Sequence, residues 1–150
     1  MRRTKYVLDT NIYIKANRDR QWAQQLVAFY ETNLPFTFLH SVVVQELLLG
    51  AIDAAKLKQL QTSYFAPFES RGRVITPSYT SWKRSGEMIA RLIEDKHVSP
   101  KNLSRSFLND ALLAASCRDR GVTLLTTNER DFKRLREVEQ FSFVTPWPKG

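Results

Sequence analysis

Short apolar runs alternating with helical periodicity constrain this chain more than any other feature. Lys5-Tyr6-Val7-Leu8, Thr37-Phe38-Leu39-His40, Val74-Ile75, Val122-Thr123-Leu124-Leu125-Thr126 and Phe141-Ser142-Phe143-Val144 are rich in β-branched and aromatic residues and read as strands. Between them, Trp22, Leu26, Phe29 and Tyr30 mark a helix over residues 20–32. Ser41 is a candidate N-cap for a helix carrying Val44, Leu47, Leu48, Ala51 and Ala55, and a further helix covers about residues 53–64. Ser78 can cap a helix running through Trp82, Met88, Ile89 and Leu92, and residues 96–101 read as a loop. From Asn102 or Ser104 a strong helix reaches Arg120, with Gly121 as its stop, and Asp131 to Glu137 is short and helical. A parallel connection needs a crossover of a dozen or more residues, so the alternation predicts a three-layer α/β/α fold with a mostly parallel central sheet. In such sheets ligands gather outside the carboxyl ends of the strands.

No repeat, low-complexity tract or Gly/Ser linker interrupts residues 1–150, which read as a single domain. A chain of 150 residues buries enough surface to fold without cross-links. Cys117, the lone cysteine, excludes an intrachain disulfide or an all-cysteine zinc site. The basic start Met1-Arg2-Arg3-Thr4-Lys5 leads only into Tyr6-Val7-Leu8 before Asp9 stops it, which is too short for a signal peptide core. Nowhere is there a run of the ~18 apolar residues that a membrane span needs, so no membrane association and a cytoplasmic location are expected. The net charge of +8 favours a polyanionic partner through steering and counterion release. The excess is spread along the chain, with only residues 21–50 net acidic, so no single basic tail accounts for it.

Three acids occupy unusual places. Asp9 directly follows an apolar strand, Glu46 lies near the start of an apolar helix, and Asp110 sits among Leu108, Ala111, Leu112 and Leu113. A fourth, Asp131, comes five residues after Thr126. Each has an ordinary reading alone: an Asx turn or cap for Asp9, solvated helix positions for Glu46 and Asp110, first-turn stabilisation for Asp131. Jointly they say more, because strands ending at Asp9, His40 and Thr126 on one edge of a parallel sheet would bring the four acids together. Carboxylates gathered in one cleft raise one another's pKa or are neutralised by a divalent cation, and oxygen-only ligands favour Mg²⁺ or Mn²⁺ over zinc. A cation so held can polarise a phosphoryl oxygen and activate water, so the chemistry suggested is phosphodiester hydrolysis.

These residues carry a resemblance to a known family. Val7-Leu8-Asp9-Thr10-Asn11, Ser41-Val42-Val43-Val44-Gln45-Glu46-Leu47, Leu108-Asn109-Asp110-Ala111-Leu112-Leu113-Ala114 and Leu125-Thr126-Thr127-Asn128-Glu129-Arg130-Asp131-Phe132 resemble, in order and spacing, the motifs of the PIN domain. Within that family they resemble the toxin ribonucleases of bacterial VapBC-type toxin–antitoxin pairs. The resemblance implies an endoribonuclease holding one or two Mg²⁺ or Mn²⁺ ions on Asp9, Glu46 and Asp110, with Asp131 as the fourth acid. It implies that Thr10 and Asn11 orient the first acid or a water, and that Thr126 or Thr127 does the same for the scissile phosphate. It also implies a homodimer, higher assembly with an antitoxin, and an antitoxin tail that lies in the groove and blocks the acids. Many relatives carry an acid where this chain has Asn128, whose neutral oxygen would weaken a second metal site.

Arg130, Lys133, Arg134 and Arg136 surround Asp131 and form the basic cluster expected beside the cleft, while Arg71, Arg73, Lys83, Arg84 and Arg91 are further candidate phosphate ligands. His40 and His97 fit no metal spacing, and His40 reads as a structural residue near the site. Trp22, Phe29, Tyr30, Tyr64, Phe65 and Phe68 could stack on bases but are more simply core or interface. Two other classes compete with the nuclease. Asn128 motivates a PIN-fold RNA-binding or scaffold module with a weakened site. A haloacid-dehalogenase-type phosphatase would need a second acid two residues after Asp9, where this chain has Asn11.

Overall fold

The computed structural model describes residues 3–148, so Met1 and Arg2 of the basic start lie outside the described residues. Five strands, β1 (Tyr6–Leu8), β2 (Thr37–His40), β3 (Val74–Ile75), β4 (Thr123–Leu125) and β5 (Phe143–Val144), form one sheet in the order β3-β2-β1-β4-β5. Every pairing is parallel, with Tyr6 registered on Thr37 on one side and on Thr123 on the other. The chain builds outward from β1 through β2 to β3, then returns to the far side of β1 for β4 and β5. The direction reverses between β1 and β4, the place where open α/β sheets leave a crevice. Val7, Leu8, Leu124 and Leu125 are fully buried, as central strands covered on both faces require.

Helices fill the crossovers and form the outer layers: α1 (Thr10–Arg18), α2 (Arg20–Asn33), α3 (Ser41–Leu49), α4 (Ala54–Gln59), α5 (Ala66–Glu69), α6 (Tyr79–Glu94), α7 (Arg105–Arg120) and α8 (Glu129–Arg136). The expected caps of α6 and α7 are present: Ser78 accepts from the Ser81 N–H and Ser104 from the Phe107 N–H. Gly121 ends α7 with φ of 66°, a left-handed conformation that costs glycine nothing. Phe132 of α8 packs against Phe141 and Phe143, the three rings at centroid separations of 5.8 to 6.2 Å. Among the described residues no helix is long and apolar enough to cross a membrane.

The structure departs from the periodicity in specific places. Residues 10–18 are helical, because Ile12, Tyr13 and Ala16 meet the core on one face and Asp9 caps the first turn. The cap of α3 is His40 and not Ser41, since the His40 ring nitrogen Nδ1 accepts from the Val42 N–H at 3.1 Å. α3 stops at Gly50 short of Ala51 and Ala55, because Asp53 caps a new helix through the Lys56 N–H. That second helical path runs beyond residue 64, through a π-helical turn at Leu60–Phe65 into α5. Pro67 is tolerated there because it occupies the first turn of α5. α8 begins two residues earlier than expected, capped by Asn128, and the last strand contracts to Phe143–Val144.

Candidate active site

The carboxyl end of β1 delivers Asp9 to the crevice between β1 and β4. Its backbone N–H continues the ladder to the Leu125 carbonyl at 2.8 Å, which fixes where the side chain emerges. The side chain caps α1: Oδ1 accepts from the Thr10 N–H at 2.8 Å, a site that favours negative charge. Oδ2 accepts from the Thr126 hydroxyl at 2.7 Å and, at the long limit of 3.5 Å, from the Asn11 amide. The adjacent strand end therefore steers the first acid.

Glu46 projects from α3 toward the same place. The Thr10 hydroxyl donates to its Oε1 at 2.6 Å, and the Asn109 amide reaches its Oε2 at 3.4 Å. Asp110, one residue on in α7, is buried and receives the Asn128 amide on Oδ2 at 3.3 Å. The same amide donates to Asp131 Oδ2 at 3.1 Å, and the Asn128 N–H donates to the Thr126 hydroxyl at 2.9 Å. Thr127 turns its N–H toward Asn11 at 3.5 Å. One network thus joins Asp9, Thr10, Asn11, Thr126, Thr127 and Asn128, and through them Glu46, Asp110 and Asp131. Arg130 stays exposed and makes no ion pair among the described residues.

Asn109 is the residue that sequence reasoning left out. Its only signal was adjacency to Asp110 inside a quoted motif, and its alignment with Glu46 depends on how α3 meets α7. Asn128, expected to offer an oxygen, instead spends its Nδ2 on two acids and its Oδ1 on capping α8 at 3.5 Å. The Thr126 hydroxyl is wholly engaged inside the protein, with Asp9 and the Asn128 N–H as partners.

The electrostatics follow from burial and crowding. Burial raises Asp9 from 3.8 to about 6; the hydrogen bonds from Thr126 and Thr10 oppose the rise, and the charge of Glu46 adds to it. Asp110 is pushed up to about 8, first by burial and then by the charges of Asp9, Glu46 and Asp131. None of the four acids forms a salt bridge among the described residues. Their charge is met by neutral hydroxyls and amides, and among those residues no three acids already converge as a finished metal cage. An all-oxygen, uncompensated set of this kind suits a hard divalent cation, which would relieve the repulsion that raises Asp110.

Residues around the site divide between chemistry and scaffold. His40 is fully buried, its Nε2 bonded to Ser116 at 2.9 Å, and burial lowers its pKa to about 4, so it is a neutral structural residue. Arg84 binds Asp119 and Glu139 and so is engaged inside the fold, Arg91 faces Glu139 at 3.8 Å, and Arg71 and Arg73 each donate to a backbone carbonyl. Lys133 pairs with Glu129, while Arg134 and Arg136 lie over the Phe107 and Phe143 rings. Phe29, Phe65 and Phe68 are core, and Cys117 is buried as a small apolar residue.

Comparison with known proteins gives the family and the fold. The family model described as "PIN domain" matches residues 6–138. Among solved structures, the chain is similar to DNA-bound VapBC from Salmonella typhimurium at 22% identity, covering 95% of this chain and 98% of that one with a TM-score of 0.68. It is similar to FitAcB from Neisseria gonorrhoeae at 18% identity, covering 96% and 99% with a TM-score of 0.69. It is also similar to VapBC-1 from nontypeable Haemophilus influenzae at 18% identity, covering 95% and 98% with a TM-score of 0.67. At such identities the likeness is one of fold. No curated protein matches the sequence.

Proposed function

The chain belongs to the PIN domain family, and from that premise we propose that residues 1–150 form a single-domain, metal-dependent endoribonuclease, the toxin of a VapBC-type toxin–antitoxin pair. The observation that carries the proposal is the set of acids gathered at the β1/β4 crevice without an ion pair among the described residues, Asp9 and Asp110 buried and Glu46 and Asp131 half-buried, with Asp110 raised to about 8 by burial and by its three neighbours. Asp9, Glu46 and Asp110 hold one or two Mg²⁺ or Mn²⁺ ions, with Asp131 as the fourth acid. When bound, such a cation supplies positive charge that polarises a phosphoryl oxygen and makes water a stronger nucleophile at neutral pH.

The remaining work falls to the chain's own side chains. Thr126 holds the Asp9 carboxylate in one rotamer, and Thr10 with Asn109 fixes Glu46 from two sides. Asn128 ties Asp110 to Asp131, so the last acid is positioned through an amide. Asn11 and Thr127 border the same crevice. Arg130 and the basic surface hold the RNA backbone by counterion release, which makes binding salt-dependent.

Incubating RNA with the protein and Mg²⁺ or Mn²⁺ is expected to give discrete fragments, and EDTA to abolish them. Cleavage that survives EDTA would sink the metal mechanism. The second reading, an RNA-binding or scaffold module, is favoured by the neutral amide of Asn128 among the acids. It predicts salt-sensitive RNA binding without any cutting.

Assembly and location complete the proposal: a cytoplasmic homodimer that assembles further with an antitoxin, whose bound tail covers the acids. Tyr79 and Trp82 stand one turn apart on α6, 80% and 60% exposed. Exposed aromatic area of this kind favours burial against a second copy. Light scattering should give twice the chain mass for the native protein and the chain mass for a Tyr79→Lys/Trp82→Glu variant; a native monomer at micromolar concentration would contradict the dimer.

A further inference from the structure

A cavity of about 310 Å³ opens beside the acids, between α1, α3, α4 and the π-helical turn. It shares Glu46 with the acid cluster, so whatever fills it lies next to the reacting bond. Half-buried Tyr64 forms an aromatic wall, backed by the fully buried Tyr13 with the two rings 5.6 Å apart at 58°. Ile52, 91% exposed, stands at the mouth, and Arg18 and Lys56 bring two cationic heads to the rim. Neither cation makes an ion pair among the described residues.

This combination fits one chemical class. A volume near the lower end of the range for small-ligand pockets, roughly 300–1,000 Å³, admits a nucleotide and little more. A nucleotide offers a flat π face for tyrosine and isoleucine, and a phosphate for the two unpaired cations. An anion reaching this place also balances local charge: Arg18 and Lys56 would serve the phosphate next to the one that lies at the acids.

Resting on the ribonuclease reading above, we propose that this cavity is a base-binding subsite that seats the nucleotide next to the cleaved bond, with Tyr64 as its stacking residue and Arg18 and Lys56 as its phosphate ligands. Short RNAs cleaved by the protein then carry one position whose base is gripped, and that position sets where the cut falls.

The test is an abasic scan. Fluorescence anisotropy measures short labelled RNAs, each lacking the base at one position, on full-length Asp110→Asn protein, with cleavage by the native chain followed in parallel. One abasic position should lose roughly tenfold to a hundredfold in affinity, the range that a stacked base contributes. Tyr64→Ala should remove that position's effect, and Tyr64→Phe should keep it. Arg18→Gln, an exposed change that spares the fold, should lower the slope of log affinity against log salt by about one. No position-specific loss, or one that persists unchanged in Tyr64→Ala, overturns the subsite even where native cleavage is intact. Absence of cleavage with the abasic effect retained sinks the nuclease reading and leaves the subsite standing. Variants that weaken binding of an antitoxin protein while leaving RNA binding untouched assign the cavity to a protein segment and overturn the proposal.

Discussion

Replacing Asp110 by Asn is expected to stop RNA cleavage and, in the same molecule, to stabilise the metal-free fold. The two effects share a cause. Asp110 is buried, its carboxyl is raised to about 8, and its one side-chain hydrogen bond is a 3.3 Å contact from Asn128. Ionising it at neutral pH means burying a charge beside Asp9, Glu46 and Asp131 with no ion-pair partner among the described residues. The amide of Asn is nearly the same shape and removes that cost, so unfolding in EDTA at pH 8 should require more energy by on the order of a few kcal/mol. Losing groups that merely orient metal ligands costs about 10- to 100-fold in affinity or activity, so losing this carboxylate should exceed about a hundredfold in cleavage rate. The measurements are RNA cleavage under saturating Mg²⁺ and denaturant unfolding in EDTA. A variant that cuts at the native rate would show that Asp110 does not hold a cation, and one that is destabilised in EDTA would contradict the cost of its buried charge.

The stability of the metal-free native protein should fall as pH rises from about 4 to about 8. Three shifted groups titrate in this window: Asp9, raised to about 6, and Asp110, raised to about 8, both from 3.8, favour the protonated folded state, while His40, lowered from 6.5 to about 4, opposes them below pH 6.5 and is outweighed by the two acids. Between those limits the folded state binds more protons than the unfolded state, so the slope of unfolding free energy against pH is negative. The decline begins above pH 4, loses the Asp9 contribution near pH 6, and levels off above pH 8. The rise of Asp110 from 3.8 to about 8 contributes on the order of 5 kcal/mol of this decline. Saturating Mg²⁺ should flatten the curve, because a bound cation favours the ionised acids. Calorimetric titration of Mg²⁺ at pH 7 should accordingly release protons, detected as a heat that varies with the buffer. A stability curve that rises from pH 5 to 8 in EDTA would contradict the shared cause.

Much of the fold could be read from local pattern, because burial imposes its own period. Tyr6-Val7-Leu8 and Thr123-Leu124-Leu125 have the continuous apolar character of strands covered on both faces. Ser78, Ser104 and Gly121 announce helix ends through hydrogen bonds made within four residues. The miss at α1 has an equally local cause. Thr10, Asn11, Ile12 and Ile14 are weak helix formers, and packing of Ile12, Tyr13 and Ala16 overrides that preference. Likewise, nothing adjacent to Ser41 reveals that the His40 ring reaches the Val42 N–H before the Ser41 hydroxyl can serve.

Through the motifs they stand in, the sequence by itself determined the alternating α/β architecture and the family, and singled out the four acids as candidates. Tertiary structure alone decided how these residues are used. Glu46 is a half-exposed helix position by its surroundings in sequence, and becomes part of the cluster only because Thr10, 36 residues away, and Asn109, 63 away, bond it. Asp9 is oriented by Thr126 across 117 residues, Asn128 turns from a missing acid into a clamp on two acids, and a cavity opens beside Glu46. The physical reason is range. Strand and helix formation respond to neighbours within a turn or two, whereas the meeting of side chains in a crevice depends on the order in which the strands pair, and no local pattern carries that order.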